Sequence, residues 1–125
     1  MNLEIKVLVV DDFSTMRRIV KNALKQIGFK SIVEADDGTT ALDVLKQEEI
    51  GLVVSDWNMP QMSGLDLLKK VRGDEATKNT PFVMVTAESQ KDNVLEAVQA
   101  GVSNYVVKPF TPDKLEEKLK EVLDK

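Results

Sequence analysis

A chain of 125 residues, 42% of them hydrophobic, can build one sizeable core, so a single domain over residues 1–125 is expected. Charged residues make up 30%, the formal net charge is −4 and the pI is about 4.9, a balance that argues against a surface built to neutralise nucleic-acid phosphates. With no cysteine and no histidine, disulfides, thiol nucleophiles, Cys/His zinc sites and histidine-based triads are excluded, and chemistry falls to carboxylates, hydroxyls, amides and amines.

The run Ile5 to Val10 reads as a first strand. Its apolar stretch Val7 to Val10 is far too short for a signal peptide or a membrane span, and no basic region precedes it, so a cytoplasmic protein with no membrane partner is expected. Met16, Ile19, Val20, Ala23, Leu24 and Ile27 then recur at i, i+3, i+4, i+7, which predicts a helix capped by Ser14 and stopped at Gly28. Ile32 to Ala35 is the second strand, and Ala41, Leu42 and Leu45 mark a helix from Thr39 to Lys46. Leu52 to Ser55 is the third strand, followed by a helix from Leu65 to Val71 on Leu65, Leu68 and Val71. Phe82 to Val85 is the fourth, and Val94, Leu95, Ala97 and Val98 predict a helix that ends at Gly101. Asn104 to Val107 is the fifth strand, and Leu115, Leu119, Val122 and Leu123 belong to a last helix capped by Thr111 with Pro112 in its first turn.

Strands that alternate with helices give parallel β-α units with right-handed crossovers, hence a doubly wound α/β domain of five strands and five helices. In such a sheet ligands gather beyond the carboxyl ends of the strands. Asp11 and Asp12 follow strand one, Asp56 strand three, Thr86 strand four, and Lys108 strand five, just before Pro109. Two like charges about 4 Å apart repel by roughly 4 kcal/mol at an effective dielectric of 20, so a cluster of three acids needs positive charge. Lys108 supplies one ammonium, and the remaining hard-oxygen cavity suits Mg²⁺. A dication beside an aspartate, a hydroxyl and a lysine forms a set of parts for phosphoryl transfer: Asp56 as carboxylate nucleophile, with Lys108 and the Thr86 hydroxyl stabilising the phosphoryl oxygens.

Each of these residues alone has an ordinary structural reading. Paired aspartates suit a helix N-terminus or a solvated loop, Asp56 could start a turn before "WNMP", Thr86 could cap the next segment and Lys108 could be a surface lysine. Their joint placement at four strand ends favours the site.

The segments "VLVVDD", "VVSDWNMPQMSGLDLL", "VMVTAES" and "NYVVKPFT" resemble the signature segments of response regulator receiver domains, in the same order and over essentially the whole chain. The resemblance implies a flavodoxin-like fold with strand order 2-1-3-4-5. It implies that Asp56 is the phosphoacceptor and that Mg²⁺ is held by Asp12, Asp56 and the Asn58 carbonyl, with Asp11 completing the acidic set. It makes Lys108 the phosphoryl-binding lysine, Thr86 and Tyr105 the switch pair, Asn58 and Glu88 residues that tune phosphoryl lifetime, and Trp57 a reporter of metal binding. The bond before Pro109 is expected to be cis, as at the matching family position. Val94, Val98, Tyr105, Val107 and Lys118 are candidates for a partner surface on helix four, strand five and helix five, although the valines could equally be core and the lysine solvated.

By the same resemblance the chain is a monomeric signalling protein and not an enzyme, catalysing only its own phosphorylation and dephosphorylation. With no histidine of its own it takes the phosphoryl group from a separate sensor histidine kinase. The receiver accounts for all 125 residues, so the signal is expected to leave by protein contact. "DWNMP", "TAES" and "NYVVKPFTP" look most like the chemotaxis type, whose kinase is the chemotaxis kinase, whose target is the flagellar motor switch protein, and which can have a dedicated phosphatase; a phosphorelay intermediate is the alternative within the family. Ser63 departs from the Asn or Asp more usual there. Two rivals come from other classes. A haloacid-dehalogenase-like phosphatase needs an acid two residues after its nucleophile, where this chain has Asn58. A flavin carrier needs a donor-rich loop after strand one, where this chain has "DDFST".

Overall fold

In the computed structural model, which describes residues 1–87 and 91–124, five parallel strands alternate with five helices. The elements are β1 (Lys6–Val10), α1 (Ser14–Ile27), β2 (Ser31–Ala35), α2 (Gly38–Gln47), β3 (Leu52–Asp56), α3 (Gly64–Gly73), β4 (Phe82–Thr86), α4 (Lys91–Gln99), β5 (Asn104–Val107) and α5 (Pro112–Leu123). The sheet order is β2-β1-β3-β4-β5, as the resemblance implies. The chain therefore steps from β1 to one side, crosses over to β3 and continues the other way, which opens a crevice at the carboxyl ends of β1 and β3.

Alternation along the strands builds two cores. Val7, Val9, Leu52, Val54, Val83 and Val85 meet Val20, Ala23 and Leu24 of α1 and Leu115 and Leu119 of α5 on one face. Leu8, Val10, Val53, Phe82 and Met84 meet Ala41 of α2 and Leu67, Leu68 and Val71 of α3 on the other. Covered on both sides, β3 and β4 are buried at every position, including their last residues Asp56 and Thr86. Register places Val10 opposite Ala35 and Ser55, Asp56 opposite Val85, and Thr86 opposite Val107, so the polar strand ends line one rim.

Three local expectations change. Ser14 is not the cap of α1: Phe13 occupies that position without a side-chain cap, its carbonyl accepts from Arg17 N–H, and its own amide donates to Asp11 Oδ1 at 2.9 Å. Asp11 thus holds the entry to α1 that a serine cap would otherwise set. Ile19 is 47% exposed, because the buried stripe of α1 narrows to Val20, Ala23 and Leu24. Helices α2 and α3 begin earlier than their apolar periodicity indicates, each behind a cap: Asp37 accepts from Thr40 N–H and Ser63 from Asp66 N–H. Elsewhere the reading stands. Gly28 ends α1 at φ 125°, Thr111 caps α5 with Pro112 as its first residue, and the Lys108–Pro109 bond is cis.

Candidate phosphoacceptor site

Asp11 follows β1, Asp56 closes β3, and both are buried, whereas Asp12 is exposed. One carboxylate oxygen from each can be chosen so that all three lie within 4.8 Å of one another. Lys108, one residue past β5, donates from Nζ to Asp56 Oδ1 at 2.8 Å. Burial, then the negative charges of Asp56 and Asp12, push the Asp11 carboxyl up to about 6, against the opposing Phe13 amide hydrogen bond and the Lys108 ammonium. Three acids and one ammonium leave excess negative charge in a half-enclosed oxygen cage. That donor set fits a hard dication such as Mg²⁺, which takes carboxylates and carbonyls and keeps part of its water.

Gly64 packs directly against this site. A side-chain carbon there would run into the Asp56 carbonyl oxygen, and the Gly64 amide donates to the Trp57 carbonyl at 2.7 Å. The glycine therefore serves close approach of α3 to the end of β3. Ser55, also buried, donates its hydroxyl to the Asp56 carbonyl at 3.0 Å.

Thr86 is buried at the end of β4, and a cavity of about 10 Å³ lies between it and the half-buried Tyr105 of β5, with Trp57, Met84, Asn93, Val94 and Ala97 as the other lining residues. Lys118 of α5 holds its ammonium 5.5 Å from the Tyr105 ring centroid. Val98 is 59% exposed on α4, Val107 is half-buried on β5, and the core valine of that strand is Val106. The structure thus brings Val94, Tyr105 and Lys118 into one neighbourhood with Thr86, and leaves Val107 outside the cavity. Asn58 sits in the exposed loop after β3, and Glu88 lies outside the described residues.

Arg17 escaped the sequence reading. Its Nη1 donates to the Asp11 carbonyl at 2.7 Å and its Nε to Glu34 Oε1 of β2 at 3.3 Å. Burial works against the charge of Glu34, yet the hydrogen bonds and charges of Lys21 and Arg17 outweigh it and hold its carboxyl below the usual range. The available signal was a cation between Met16 and Val20, beside the stripe that α1 turns to the sheet. Among the described residues no helix is long and apolar enough to cross a membrane.

Residues 7–120 match the model of the response regulator receiver domain. The chain is 54% identical to chemotaxis protein CheY-3 of Vibrio cholerae over all of its own length and 96% of that protein. Among solved structures it is similar to chemotaxis protein CheY4 of Vibrio cholerae, with a TM-score of 0.89 and 35% identity over 96% of this chain and 99% of the other. The same fold, at 20% identity and a TM-score of 0.87 over 98% and 99% of the two chains, occurs in the receiver domain of a Pseudomonas aeruginosa sensor histidine kinase, which has a magnesium ion coordinated in its active-site cleft.

Proposed function

The chain belongs to the response regulator receiver family, and from that premise we propose that it accepts a phosphoryl group on Asp56 from a phosphohistidine of a separate sensor kinase. The observation that carries this reading is the convergence of Asp11, Asp12 and Asp56 within 4.8 Å, with Lys108 bonded to Asp56, at the open rim of the sheet. A carboxylate oxygen of Asp56 attacks phosphorus, the phosphorus–nitrogen bond to the donor imidazole breaks with its electron pair passing to nitrogen, and an acyl phosphate forms. Asp11, Asp12, Asp56 and the Asn58 carbonyl would hold Mg²⁺, which when bound neutralises charge on the phosphoryl oxygens. Lys108 already faces the Asp56 carboxylate and meets the charge as it moves outward onto phosphorus.

The same reading makes Thr86 and Tyr105 the relay. A void of about 10 Å³ is roughly the size of one water and far too small for a phenol ring, so Tyr105 turns inward only when Thr86 moves toward the phosphoryl group. Inward rotation takes the ring from beneath Lys118 and alters the face formed by α4, β5 and α5, where Leu95 and Val98 are more than half exposed. That face is the proposed docking surface for the output partner. At 54% identity to a chemotaxis protein over its whole length, the chain is read as a cytoplasmic, monomeric chemotaxis regulator: the chemotaxis kinase is its donor, the flagellar motor switch protein its target, and a dedicated phosphatase a further partner. Asn58 and Glu88 are assigned to phosphoryl lifetime.

Incubation with Mg²⁺ and acetyl phosphate tests the reading directly. Mass spectrometry is expected to find one added phosphoryl group on Asp56, and none on the Asp56→Asn variant or after chelation. Modification of a different side chain would overturn it. Lys108→Ala is expected to accept the group yet bind the motor switch protein no more tightly for it.

A further inference from the structure

We propose that Arg17 is a positioning residue for the cation site, fixing the Asp11–Asp12 peptide so that both carboxylates converge on the ion; this rests on the reading of Asp11, Asp12 and Asp56 as a Mg²⁺ site. Asp11 lies just beyond the strand ladder. Its amide donates to the Ala35 carbonyl at 3.2 Å, its Oδ1 accepts from the Phe13 amide at 2.9 Å, and its carbonyl accepts from Arg17 Nη1 at 2.7 Å. The third of these bonds fixes the plane of the peptide that leads into Asp12. Because Asp12 is exposed, the direction of its carboxylate is set by that backbone more than by packing.

The guanidinium is itself anchored. Its Nε donates to Glu34 Oε1 on β2 at 3.3 Å, and Glu34 Oε2 accepts from Lys21 Nζ, one turn further along α1, at 3.3 Å. The Arg17 side chain is 19% exposed. A planar fork held at one edge by an acid has a defined direction at the other, which an ammonium on a flexible stem lacks. Arg17 therefore ties the first turn of α1, the end of β1 and the end of β2 into one frame around the acids.

Simple electrostatics predicts the opposite sign, which makes the proposal easy to test. A positive charge next to a cation site repels the ion, so its loss would tighten binding by Coulomb's law alone. A positioning role predicts weaker binding.

The experiment uses the full chain, stripped of metal by chelation and titrated with Mg²⁺ by calorimetry and by Trp57 fluorescence. Arg17→Gln is expected to bind Mg²⁺ about tenfold more weakly, the scale typical of residues that orient metal ligands. Arg17→Lys keeps the charge but not the fork and is expected to fall between Arg17→Gln and wild type. Arg18→Gln removes the same charge from the exposed neighbouring position and is expected to bind as wild type does. In the metal-free protein, amide hydrogen exchange at Phe13 should quicken in Arg17→Gln and not in Arg18→Gln. Wild-type or tighter Mg²⁺ binding by Arg17→Gln, or an equal loss in Arg18→Gln, overturns the proposal. Should Arg17→Gln fail to fold, wild-type Mg²⁺ affinity in Arg17→Lys overturns it and a loss of a few fold supports it. Failure of the wild-type chain to take up Mg²⁺ would instead sink the reading of the cation site itself.

Discussion

At the carboxyl rim of the sheet Asp11 and Asp56 are buried side by side with Asp12 close by, while at the amino rim Arg72 is part-buried with, among the described residues, no acid among its hydrogen-bond partners. Arg72 donates to the carbonyls of Gly101 at 2.9 Å, Thr80 at 2.6 Å and Lys78 at 3.2 Å, and to Ser103 Oγ at 3.4 Å. Ser103 in turn accepts from the Phe82 amide, so one guanidinium secures the end of α3 and the starts of β4 and β5. Burial depresses the Arg72 pKa, but a guanidinium starts so strongly basic that the group keeps its charge near neutral pH. Arg72 has its charge met by fixed dipoles, whereas the three acids face one another with the Lys108 ammonium on Asp56, which leaves excess negative charge that is costly to the metal-free fold.

The largest loss is expected at Arg72. Arg72→Ala leaves three carbonyls to find water and unties three segments, and a loss of about 3 kcal/mol in denaturant unfolding is expected, since hydrogen bonds to a charged group are worth about 1.5–3 kcal/mol. Mg²⁺ uptake, at the far rim, should be unchanged. A loss under half a kcal/mol would show that the amino rim is not the stabilising end.

The opposite sign is expected of Asp11→Asn in chelator-treated protein. The rise from an ordinary 3.8 to about 6 corresponds to at most about 3 kcal/mol against the ionised form. Water at the open rim reduces the expected gain to about 1–2 kcal/mol at pH 8. The sign with pH follows from the folded carboxyl lying above its unfolded value. As pH falls through 6 the folded state takes up a proton before the unfolded one does, so the penalty disappears between about pH 6 and pH 4 and the two unfolding curves should converge there. A metal-free variant no more stable than wild type at pH 8 would mean that the acids do not oppose folding. Mg²⁺ uptake by the variant should be lost or severely weakened.

These two rims differed just as much in how legible they were. The acids, Thr86 and Lys108 stand out in sequence because polar residue types interrupt β-branched runs at the same point of several strands. Arg72 and Arg17 do not, since most of their partners are backbone carbonyls, which carry no residue-type signal. Helix interiors were legible from apolar spacing, but Asp37 was passed over as a cap because it precedes a small and polar first turn, which carries no periodicity, and Ser63 because the apolar pattern begins only at Leu65, after Gly64. Ser14 failed as a cap for a tertiary reason: Asp11 takes the Phe13 amide first. Ile19 fits the spacing of the buried stripe and is nonetheless exposed beside Met16, Pro109 and Phe110 at the rim.

The helix caps carry smaller effects. Ser63 caps α3 and Thr111 caps α5, both at the carboxyl rim. Ser63→Ala and Thr111→Ala should each lose about 1 kcal/mol, the ordinary cost of a missing N-cap. Only Ser63→Ala should disturb Mg²⁺ uptake as well, because α3 starts at the glycine packed on the Asp56 carbonyl.

The smallest effect is expected at Gln61, in the same loop. Its φ of 68° places a residue with a Cβ in the left-handed region, which costs roughly 1–2 kcal/mol relative to glycine. Gln61→Gly removes that strain but enlarges the unfolded ensemble by about 0.4–1 kcal/mol, leaving a net gain of about 0.5 kcal/mol. The side chain is exposed, so little packing is lost. Gln61→Val should go the other way by at least about 1 kcal/mol, since a β-branched residue tolerates positive φ least. If the strain merely carries the chain from Pro60 to the cap at Ser63, the glycine variant gains stability with unchanged Mg²⁺ affinity and phosphoryl lifetime, which is the result expected. A gain in stability matched by weaker Mg²⁺ uptake would instead place the strain inside the carboxyl rim's working geometry, alongside the opposed acids.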